Sequence, residues 1–494
     1  MTTLNSCFEI ASGILAAAFD KMKKKAPVIH QPFRWHMRYA GCFLLLIAAL
    51  SSCTQKSTVT FSNDVAPIIY AKCTKCHRPG QPAPFTLISY KDVAKRSKTI
   101  RKIINLGIMP PWPADATYWH FLGENQLSAQ QISIINQWVD AGAPLGDTSN
   151  IPRPPYFPAG SMIGKPDLRL KIKPYLVKGD NTDRFMVMKI PFELPADTFI
   201  SAIEFVPGSN LVHHVNGRII FYDSDRKADV FAGDYALDTK DETRESVFSK
   251  MNLLNDDGSY PGNDHYIHSA TNYLPGAISM LYPEGIGGFF VRKKGIIYLN
   301  DIHYGPSGED VLDTSFVNIF FSATPPKRPV QEIQLGTLGI SDIIPSLVIP
   351  PDTVMTFVTR ARILGDISLL TINPHMHLLG KSFIAYALQP NGDTIPLIRI
   401  RHWDFRWQYF YTFEKMLHIP AGSTIEVVAV MDNTRNNPNN PHHPPQQVEG
   451  RNGSMRTTDE MLQLILTYLP YQHGDENISL NTQDGAAAMQ TDLK

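Results

Sequence analysis

The sequence predicts a multidomain protein in which a helical segment precedes a much longer all-β region. Two observations support this prediction. Between Asp64 and Gly142 apolar residues recur at helical spacing, whereas after Pro166 short stretches rich in β-branched and aromatic residues alternate with turn residues. The 494 residues suffice for about three domains of the usual size. The 38 prolines and 32 glycines provide the turns that β domains need.

The composition is that of an ordinary globular protein, with 46 basic and 46 acidic residues. Because the formal net charge is zero, no nucleic-acid partner is predicted. All five cysteines lie within the first 76 residues, at positions 7, 42, 53, 73 and 76. The β region is therefore predicted to lack disulfides, and a metal there must be held by His, Met or carboxylate side chains.

A targeting segment is predicted ahead of Cys53. Arg38 supplies a positive charge, and the apolar run Cys42–Leu50 is too short to span a bilayer. The string Leu50-Ser51-Ser52-Cys53 resembles a bacterial lipobox, which implies cleavage before Cys53 and acylation of its sulfur. Residues 1–52 are thus interpreted as an upstream extension plus a lipoprotein signal peptide. We expect an exported protein, lipid-anchored to a bacterial membrane and facing the periplasm or the cell surface; the alternative is a buried core segment.

Residues 53–146 are predicted to form an all-α domain that carries a haem. In Cys73-Thr74-Lys75-Cys76-His77 the two thiols have the CxxCH spacing that attaches to haem vinyl groups, and His77 supplies one axial nitrogen. A disulfide or a zinc half-site is the alternative, but a second Cys/His pair that would complete a zinc site is missing nearby. Ser128 is a suitable N-cap for the last helix, and Gly142 ends it.

The sixth haem ligand is predicted to be Met109, because the prolines that follow it hold the loop extended. His120 is the second candidate, and ordinary core packing is the alternative role for Met109. The stretch 61–146 resembles small bacterial cytochrome c domains, including the element Met109-Pro110-Pro111-Trp112. This resemblance implies one covalently bound c-type haem.

The proline-rich segment 147–166 is interpreted as a semi-rigid linker. A second proline-rich break at 324–329 divides the β region into predicted domains 167–325 and 326–475, and a polar tail occupies 476–494. Strands are predicted at Phe185–Leu194, Val212–Tyr222, Gly295–Tyr304, Thr424–Met431 and Met461–Tyr468.

Histidine and methionine residues in these strands are candidate metal ligands. His375 and His377 are two residues apart, so on an extended chain they point to one face and can bind one ion. The adjacent His213 and His214 would diverge on a regular strand and need a bulge or a strand end to share a metal with His303. Met461 follows the string Asp459-Glu460 at the start of a predicted strand.

Two ligand sets follow from this pattern. His213, His214 and His303 would give an all-nitrogen site, and His375 and His377 with Met461 would give a nitrogen–thioether site. Imidazole combined with a soft thioether suits copper, whereas zinc rarely takes Met. The alternative is that these are hydrogen-bonded structural histidines.

The strings HHV, HYG, HMH and DEM, in this order, resemble the copper type II ascorbate-dependent monooxygenases, which include peptidylglycine α-hydroxylating and dopamine β-monooxygenases. The resemblance covers about residues 166–470. It implies that His213, His214 and His303 bind an electron-transfer copper. It also implies that His375, His377 and Met461 bind the oxygen-binding copper and are catalytic.

The resemblance also implies a fold and a reaction. The fold is an all-α cytochrome c-like domain followed by two antiparallel β-sandwich domains of jelly-roll type. The reaction is hydroxylation of a C–H bond by O2 with two copper ions, on an unknown small-molecule or peptide substrate. Electrons would come from the fused haem or from an external donor.

The chain departs from the peptide-hydroxylating branch of this family. Asn373 stands where that branch has an arginine, and Ile465 stands where it has a tyrosine; both positions bind the carboxylate end of the peptide there. A peptidyl-glycine substrate is therefore not predicted. The alternative functions are a haem and copper electron-transfer or copper-binding protein without oxygenase activity, and a surface binding module that has lost its metals.

The lipobox-like run gives a first testable prediction. Replacing the sulfur by Cys53→Ser should release the protein from membranes, because acylation requires the thiol. Membrane and soluble fractions of cells expressing each form would be compared by immunoblot. A variant that stays in the membrane fraction as completely as the wild type would contradict lipidation at Cys53.

Overall fold

The computed structural model describes residues 58–158, 160–269, 272–277, 281–283, 285–450 and 456–481, so the predicted lipidation site Cys53 lies outside the described residues. Over these ranges, helices are confined mainly to the first 80 residues and the remainder is mostly antiparallel β-sheet. None of the described helices combines the length and the apolar character that crossing a bilayer requires.

The described chain begins with a group of short helices. A π-helical turn at Phe61–Val65 runs into α1 (Ala66–Lys72), and α2 (Tyr90–Lys95), α3 (Ser97–Asn105) and α4 (Ala129–Asp140) follow. The predicted N-cap Ser128 forms a capping box with Gln131, in which each side chain binds the other residue's backbone N–H. Buried Phe61, Ile69 and Trp138 form the centre of a small core. The cytochrome c-like assignment of this segment stays a prediction.

The first part of the β region consists of two sheets that pack face to face, with orders β1-β11-β4-β8 and β6-β3-β9-β5-β7, and a ribbon β2-β10. Neighbouring strands are antiparallel, and apolar side chains from both sheets share one core. The strands are β1 Leu168–Lys171, β2 Tyr175–Val177, β3 Arg184–Glu193, β4 Thr198–Val206, β5 Val212–Tyr222, β6 Ala236–Asp238, β7 Tyr266–Ile267, β8 Phe289–Val291, β9 Lys294–Tyr304, β10 Val311–Asp313 and β11 Phe316–Phe321. Helix α5 (Arg244–Lys250) lies between β6 and β7 in the chain.

The second part repeats this arrangement with sheets β12-β22-β16-β19 and β13-β15-β20-β17-β18, and a ribbon β14-β21. The strands are β12 Gln331–Gly336, β13 Ile343–Ile344, β14 Val348–Ile349, β15 Val354–Arg362, β16 Ile367–Met376, β17 Gly380–Leu388, β18 Thr394–Ile400, β19 Tyr411–Ile419, β20 Thr424–Asp432, β21 Val448–Glu449 and β22 Leu462–Pro470. Short 3₁₀ turns occur at Thr148–Asn150, Thr239–Asp241, Asn263–His265 and Asp475–Asn477.

Strand alternation explains how each sheet obtains a buried face. In β20, Ile425, Val427, Ala429 and Met431 are fully buried, whereas the residues between them are partly exposed. Because successive side chains point to opposite faces, shifting this strand by one residue would expose all four. The alternation of the sequence therefore fixes the register of the second core. The predicted strand at Val212–Tyr222 is confirmed with both ends unchanged.

The loop between α3 and α4 packs against the second β part, which the sequence did not predict. Ala114 forms a β-bridge with Ile400, and Phe121 forms one with Phe413. Ala114 and Phe121 are buried within the same core as the second pair of sheets. The proline-rich segment is thus not the sole link between the helices and the sheets.

An ion-pair network closes the edge of this contact. The Asp115 carboxylate accepts from Arg399 Nε at 2.8 Å and from Arg401 Nε at 2.6 Å. Although burial alone would raise it, the pKa of Asp115 is lowered by hydrogen bonds from Thr117 and from both guanidinium groups. One aspartate therefore joins Arg399 of β18 and Arg401, two residues further along the chain, to the helical segment.

Candidate metal centre

Three histidines come together on the face of β5 and β9 that points away from the first core. His214 lies directly opposite His303 in the strand register, and their ring centroids are 5.1 Å apart. The His213 ring is 4.8 Å from that of His303. Because a metal–imidazole bond is about 2 Å long, rings at these separations are close enough to share one ion.

A bulge makes this convergence possible. The register of β5 shifts between Val212 and His214, so the adjacent His213 is released from strict alternation. The His213 ring then lies over Gly305, where a Cβ atom would be only 2.6 Å from His213 Nε2. The small residue after His303-Tyr304 therefore provides the space that the third imidazole occupies.

Two carboxylates orient these imidazoles. Asp301 Oδ2 lies 3.0 Å from His214 Nε2, and Asp183 Oδ1 lies 2.7 Å from His303 Nε2. A neutral ring that donates its Nε2 proton to a carboxylate keeps its lone pair on Nδ1. His303 Nδ1 is buried and has no hydrogen-bond partner among the described residues. This orphaned nitrogen is the atom expected to bind a metal.

Burial keeps the first cluster uncharged. The pKa of His303 is lowered to about 4, mainly by burial and also by the neighbouring His214. Burial likewise lowers the pKa of His213. Metal ligation requires the neutral imidazole, so both side chains are in the form that binds metal at neutral pH.

The second cluster lies where β16 ends and β22 begins. Met376 pairs with Leu462, so the next positions outward on the two strands are His377 and Met461. His375 is two residues before His377, and their ring centroids are 5.1 Å apart. Alternation therefore directs both imidazoles and the thioether of Met461 to one side of the sheet.

Hydrogen bonds fix the two ligand-bearing segments of this cluster together. Glu460 Oε2 accepts from the backbone N–H of His377 at 3.0 Å and of Met461 at 3.2 Å, and Oε1 accepts from Leu379 at 2.6 Å. Burial raises the pKa of Glu460 to about 8, although these three bonds oppose the shift. One buried carboxyl group thus ties the turn after β16 to the start of β22.

The donor chemistry of the second cluster fits copper. His377 Nδ1–H donates to the carbonyl of Asp459 at 2.8 Å, which leaves the lone pair on Nε2. Burial lowers the pKa of His377 and, together with the neighbouring His377 ring, lowers that of His375 to about 3. Two neutral imidazoles and a 2%-exposed thioether form a donor set that copper accepts and zinc rarely does.

The side chains are close to a metal-binding arrangement without already forming one. Among the described residues, no three His, Cys, Asp or Glu side chains converge as tightly as ligands of a bound ion. In the first cluster His214 and His303 hold their Nε2 atoms on carboxylates, and the second cluster needs the Met461 sulfur as its third donor.

The aromatic ring of Phe405 lies between the two clusters. The Phe405 ring lies 5.7 Å from that of His214 and 5.7 Å from that of His377. Asp301 faces both clusters: burial would raise its pKa, but His214, His303 and His377 hold it below its usual value. The two ligand sets thus form one continuous site.

The CxxCH segment follows α1. Cys73 and Cys76 are free thiols, and His77 Nδ1–H donates to the carbonyl of Phe85 at 2.9 Å. This bond leaves the lone pair on His77 Nε2, as axial ligation of iron requires. Met109 is partly buried after α3, whereas His120 is largely exposed and hydrogen-bonds Glu124. These residues fit a c-type haem, and the sixth ligand stays a prediction.

Sequence reasoning missed the residues that support the ligands. Asp301 could have been found, because it precedes His303 by two residues and must share its face. Glu460 belongs to the string Asp459-Glu460-Met461, from which Met461 was predicted to be a ligand. Phe405 lies in a loop between β18 and β19, and no local pattern in the sequence indicates its position.

Comparison with known families supports the copper assignment for the second β part. Residues 337–443 match the model of the copper type II ascorbate-dependent monooxygenase, C-terminal domain. The matched segment contains His375 and His377 and ends before Met461. This family binds copper and carries out monooxygenase chemistry.

Comparisons with curated proteins and with solved structures identify no function. No curated protein matches the chain significantly. The solved structure of the infectious bursal disease virus Gx strain is 10% identical in sequence. The alignment covers 63% of this chain and 74% of the viral chain, with a TM-score of 0.15. The major capsid protein P2 from bacteriophage PM2 is 9% identical, with coverages of 62% and 99% and a TM-score of 0.20.

The Glu460 carboxyl group gives a prediction about the second cluster. In Glu460→Gln one acceptor oxygen becomes an NH₂ group, so at least one backbone N–H near His377 or Met461 loses its partner. Changes behind metal ligands cost about 10- to 100-fold in affinity, and we expect a loss of that size for Cu(I), measured by competition with a chromophoric chelator. Glu414→Gln, on the exposed face of β19, is the matched control. Equal affinity in both variants would contradict the positioning role.

Proposed function

We propose that this protein is a copper-dependent monooxygenase that hydroxylates a C–H bond with O2. The observation that carries this proposal is the pairing of two unlike donor sets across Phe405. One set contains three imidazoles, and the other contains two imidazoles and a thioether within or next to the segment that matches the monooxygenase family. Such a pair suits a reaction that needs both electron storage and oxygen activation.

The reaction balances as one O2, one C–H bond, two electrons and two protons giving one C–OH and one water. Copper held by the two ligand sets would supply the one-electron and oxygen chemistry. The chain supplies orientation and a dry environment. Asp183 and Asp301 fix the rings of His303 and His214, Glu460 fixes the segment of His377 and Met461, and burial excludes water.

We propose further that the electrons come from a c-type haem held by Cys73, Cys76 and His77. Cys76 lies against the first β part: a Cβ atom on Gly276 would be 2.8 Å from its sulfur. Tyr273, in the same loop, exchanges two backbone hydrogen bonds with Val215, at 2.9 and 2.8 Å. Because Val215 directly follows His214, a short path joins the haem-attachment thiol to the all-nitrogen cluster: one van der Waals contact from Cys76 to Gly276, and covalent and hydrogen bonds from there.

Export is part of the same proposal. Covalent haem attachment to CxxCH takes place outside the cytoplasm, and the lipobox-like run ending at Cys53 provides both the export signal and the anchor. We therefore place the protein at a bacterial membrane surface, on the periplasmic or external side. An external donor would then be needed only to re-reduce the haem.

Removing the thioether tests the enzyme assignment. Met461→Ile preserves much of the buried volume and the strand propensity but removes the sulfur. Since changes behind the ligands already cost about 10- to 100-fold, losing a ligand should lower turnover by about 100-fold or more. Turnover is measured as O2 uptake coupled to a hydroxylated product in a substrate screen.

The matched control is Met416→Ile, in which an equally buried methionine of β19 that packs in the second core is replaced. It should keep wild-type turnover. Unchanged turnover in Met461→Ile would exclude that ligand. Haem and copper that pass electrons without any oxygenated product in the wild type would instead favour an electron-transfer protein.

Anaerobic stopped-flow spectroscopy tests the haem as electron donor. With the haem reduced beforehand and copper supplied as Cu(II), haem oxidation should follow a rate independent of protein concentration. The rate should vanish in His303→Ala, which removes a ligand of the all-nitrogen cluster. It should persist in His418→Ala, whose ring stacks on Tyr471 and hydrogen-bonds Asp366. A rate proportional to protein concentration would contradict the intramolecular route.

A further inference from the structure

The loop that begins at Met109 is packed into the second β part. The apolar residues of this loop between α3 and α4 belong to the core of the second pair of sheets: Trp112, Ala114, Trp119, Phe121 and Leu122. The helical core includes Ile104 before the loop and Leu127 after it. Because Met109 is the predicted sixth haem ligand, the place of its loop depends on contacts with the second β part.

Backbone hydrogen bonds attach this loop to β18 and β19. The Asp115 N–H donates to the Arg399 carbonyl at 2.8 Å, and the Leu122 N–H donates to the Thr412 carbonyl at 2.8 Å. The Asp115 carboxylate adds its bonds from the guanidinium groups of Arg399 and Arg401. Backbone and side-chain bonds together hold the loop against two neighbouring strands of the second β part.

Tyr409 contacts this loop two residues after Met109. Its hydroxyl donates to the Pro111 carbonyl at 3.1 Å, and its ring lies 5.3 Å from that of Trp112. Burial raises the pKa of Tyr409, and the nearby Cys76 thiol adds to the shift. The hydroxyl therefore stays protonated as a hydrogen-bond donor, and it lies between the Met109 loop and the predicted haem-attachment segment.

The same tyrosine is bonded to the strand that carries His375. Asn373 Nδ2 donates to the carbonyl of Tyr409 at 3.1 Å, and Asn373 precedes His375 by two residues on β16. Tyr409 is itself buried. A buried residue that is hydrogen-bonded on both sides has little freedom to move, so Tyr409 relates the position of the Met109 loop to that of β16.

We propose that Tyr409 is a positioning residue that holds the Met109 loop in place for ligation of the haem iron. This inference rests on the proposed c-type haem and goes beyond it, because it assigns control of iron ligation to a residue of the second β part. Methionine ligation raises the reduction potential of a haem. Tyr409 therefore sets the potential at which the haem exchanges electrons.

The test is titration of the full-length ferric haem protein with imidazole, which competes with Met109 for the iron and is followed by the Soret band. Tyr409→Phe removes only the hydroxyl group. We expect imidazole to bind about two- to tenfold more tightly in this variant, as the loss of one neutral hydrogen bond predicts. Asp115→Asn weakens the attachment of the same loop and should change the affinity in the same direction.

A second variant shows whether Tyr409 acts through Met109. In Met109→Ala no thioether has to be displaced, so imidazole should bind more tightly than in the wild type. Adding Tyr409→Phe to Met109→Ala should then change nothing further. The matched control is Tyr222→Phe, in which another buried tyrosine, whose hydroxyl donates to the Leu253 carbonyl at 2.9 Å, loses that group. It should bind imidazole as the wild type does.

Melting curves check that each variant folds, and Asp115→Asn carries the test if Tyr409→Phe does not fold. Unchanged imidazole affinity in Tyr409→Phe, an equal rise in Tyr222→Phe, or a further rise in the double variant would each overturn the inference. Exported protein without covalently bound haem would overturn the haem proposal as well. The expected affinities combined with no oxygenated product would support the role of Tyr409 and count against the monooxygenase function alone.

Discussion

Carboxyl groups behind the imidazoles are the interactions on which the rest of the site depends; those of Asp301 and Glu460 are buried, and that of Asp183 is exposed. Asp183, Asp301 and Glu460 each accept hydrogen bonds from a ligand ring or from the backbone that carries it. Without them, the buried rings of His303 and His214 would have unsatisfied N–H groups and no fixed orientation, and the backbone N–H of His377 would lose its acceptor. The strands bring the ligands to one face. Asp301 and Asp183 decide which nitrogen His214 and His303 present, and the Asp459 carbonyl decides it for His377.

The second organising feature is the contact between the helical segment and the second pair of sheets. Trp112 lies 5.3 Å from Tyr409 and 5.4 Å from Tyr411, ring centroid to ring centroid, and Phe121 lies between Tyr411 and Phe413. Such aromatic contacts add to the free energy of apolar burial. They hold the CxxCH segment against the sheets, whereas a linker alone would leave it free to move.

Much of the framework was predictable because it follows from local patterns. The cap at Ser128, the strand Val212–Tyr222 and the shared face of His375 and His377 all depend on spacing within a few residues. The need for a bulge at His213 also followed from alternation. What could not be predicted depends on contacts between distant segments: Phe405 between the clusters, and Phe121 in the core of the second pair of sheets. No periodic pattern in the sequence indicates these contacts.

The aromatic contact made by the loop after α3 also bears on whether the β region can exist alone. A chain that began after the proline-rich segment would leave Tyr409, Tyr411 and Phe413, which are buried here, without the cover of Trp112 and Phe121. A contiguous aromatic surface of this kind promotes self-association. The helical segment therefore acts as a lid on the second core as well as a carrier of the CxxCH motif. Loss of that segment during evolution would have required polar substitutions on β19 at the same time.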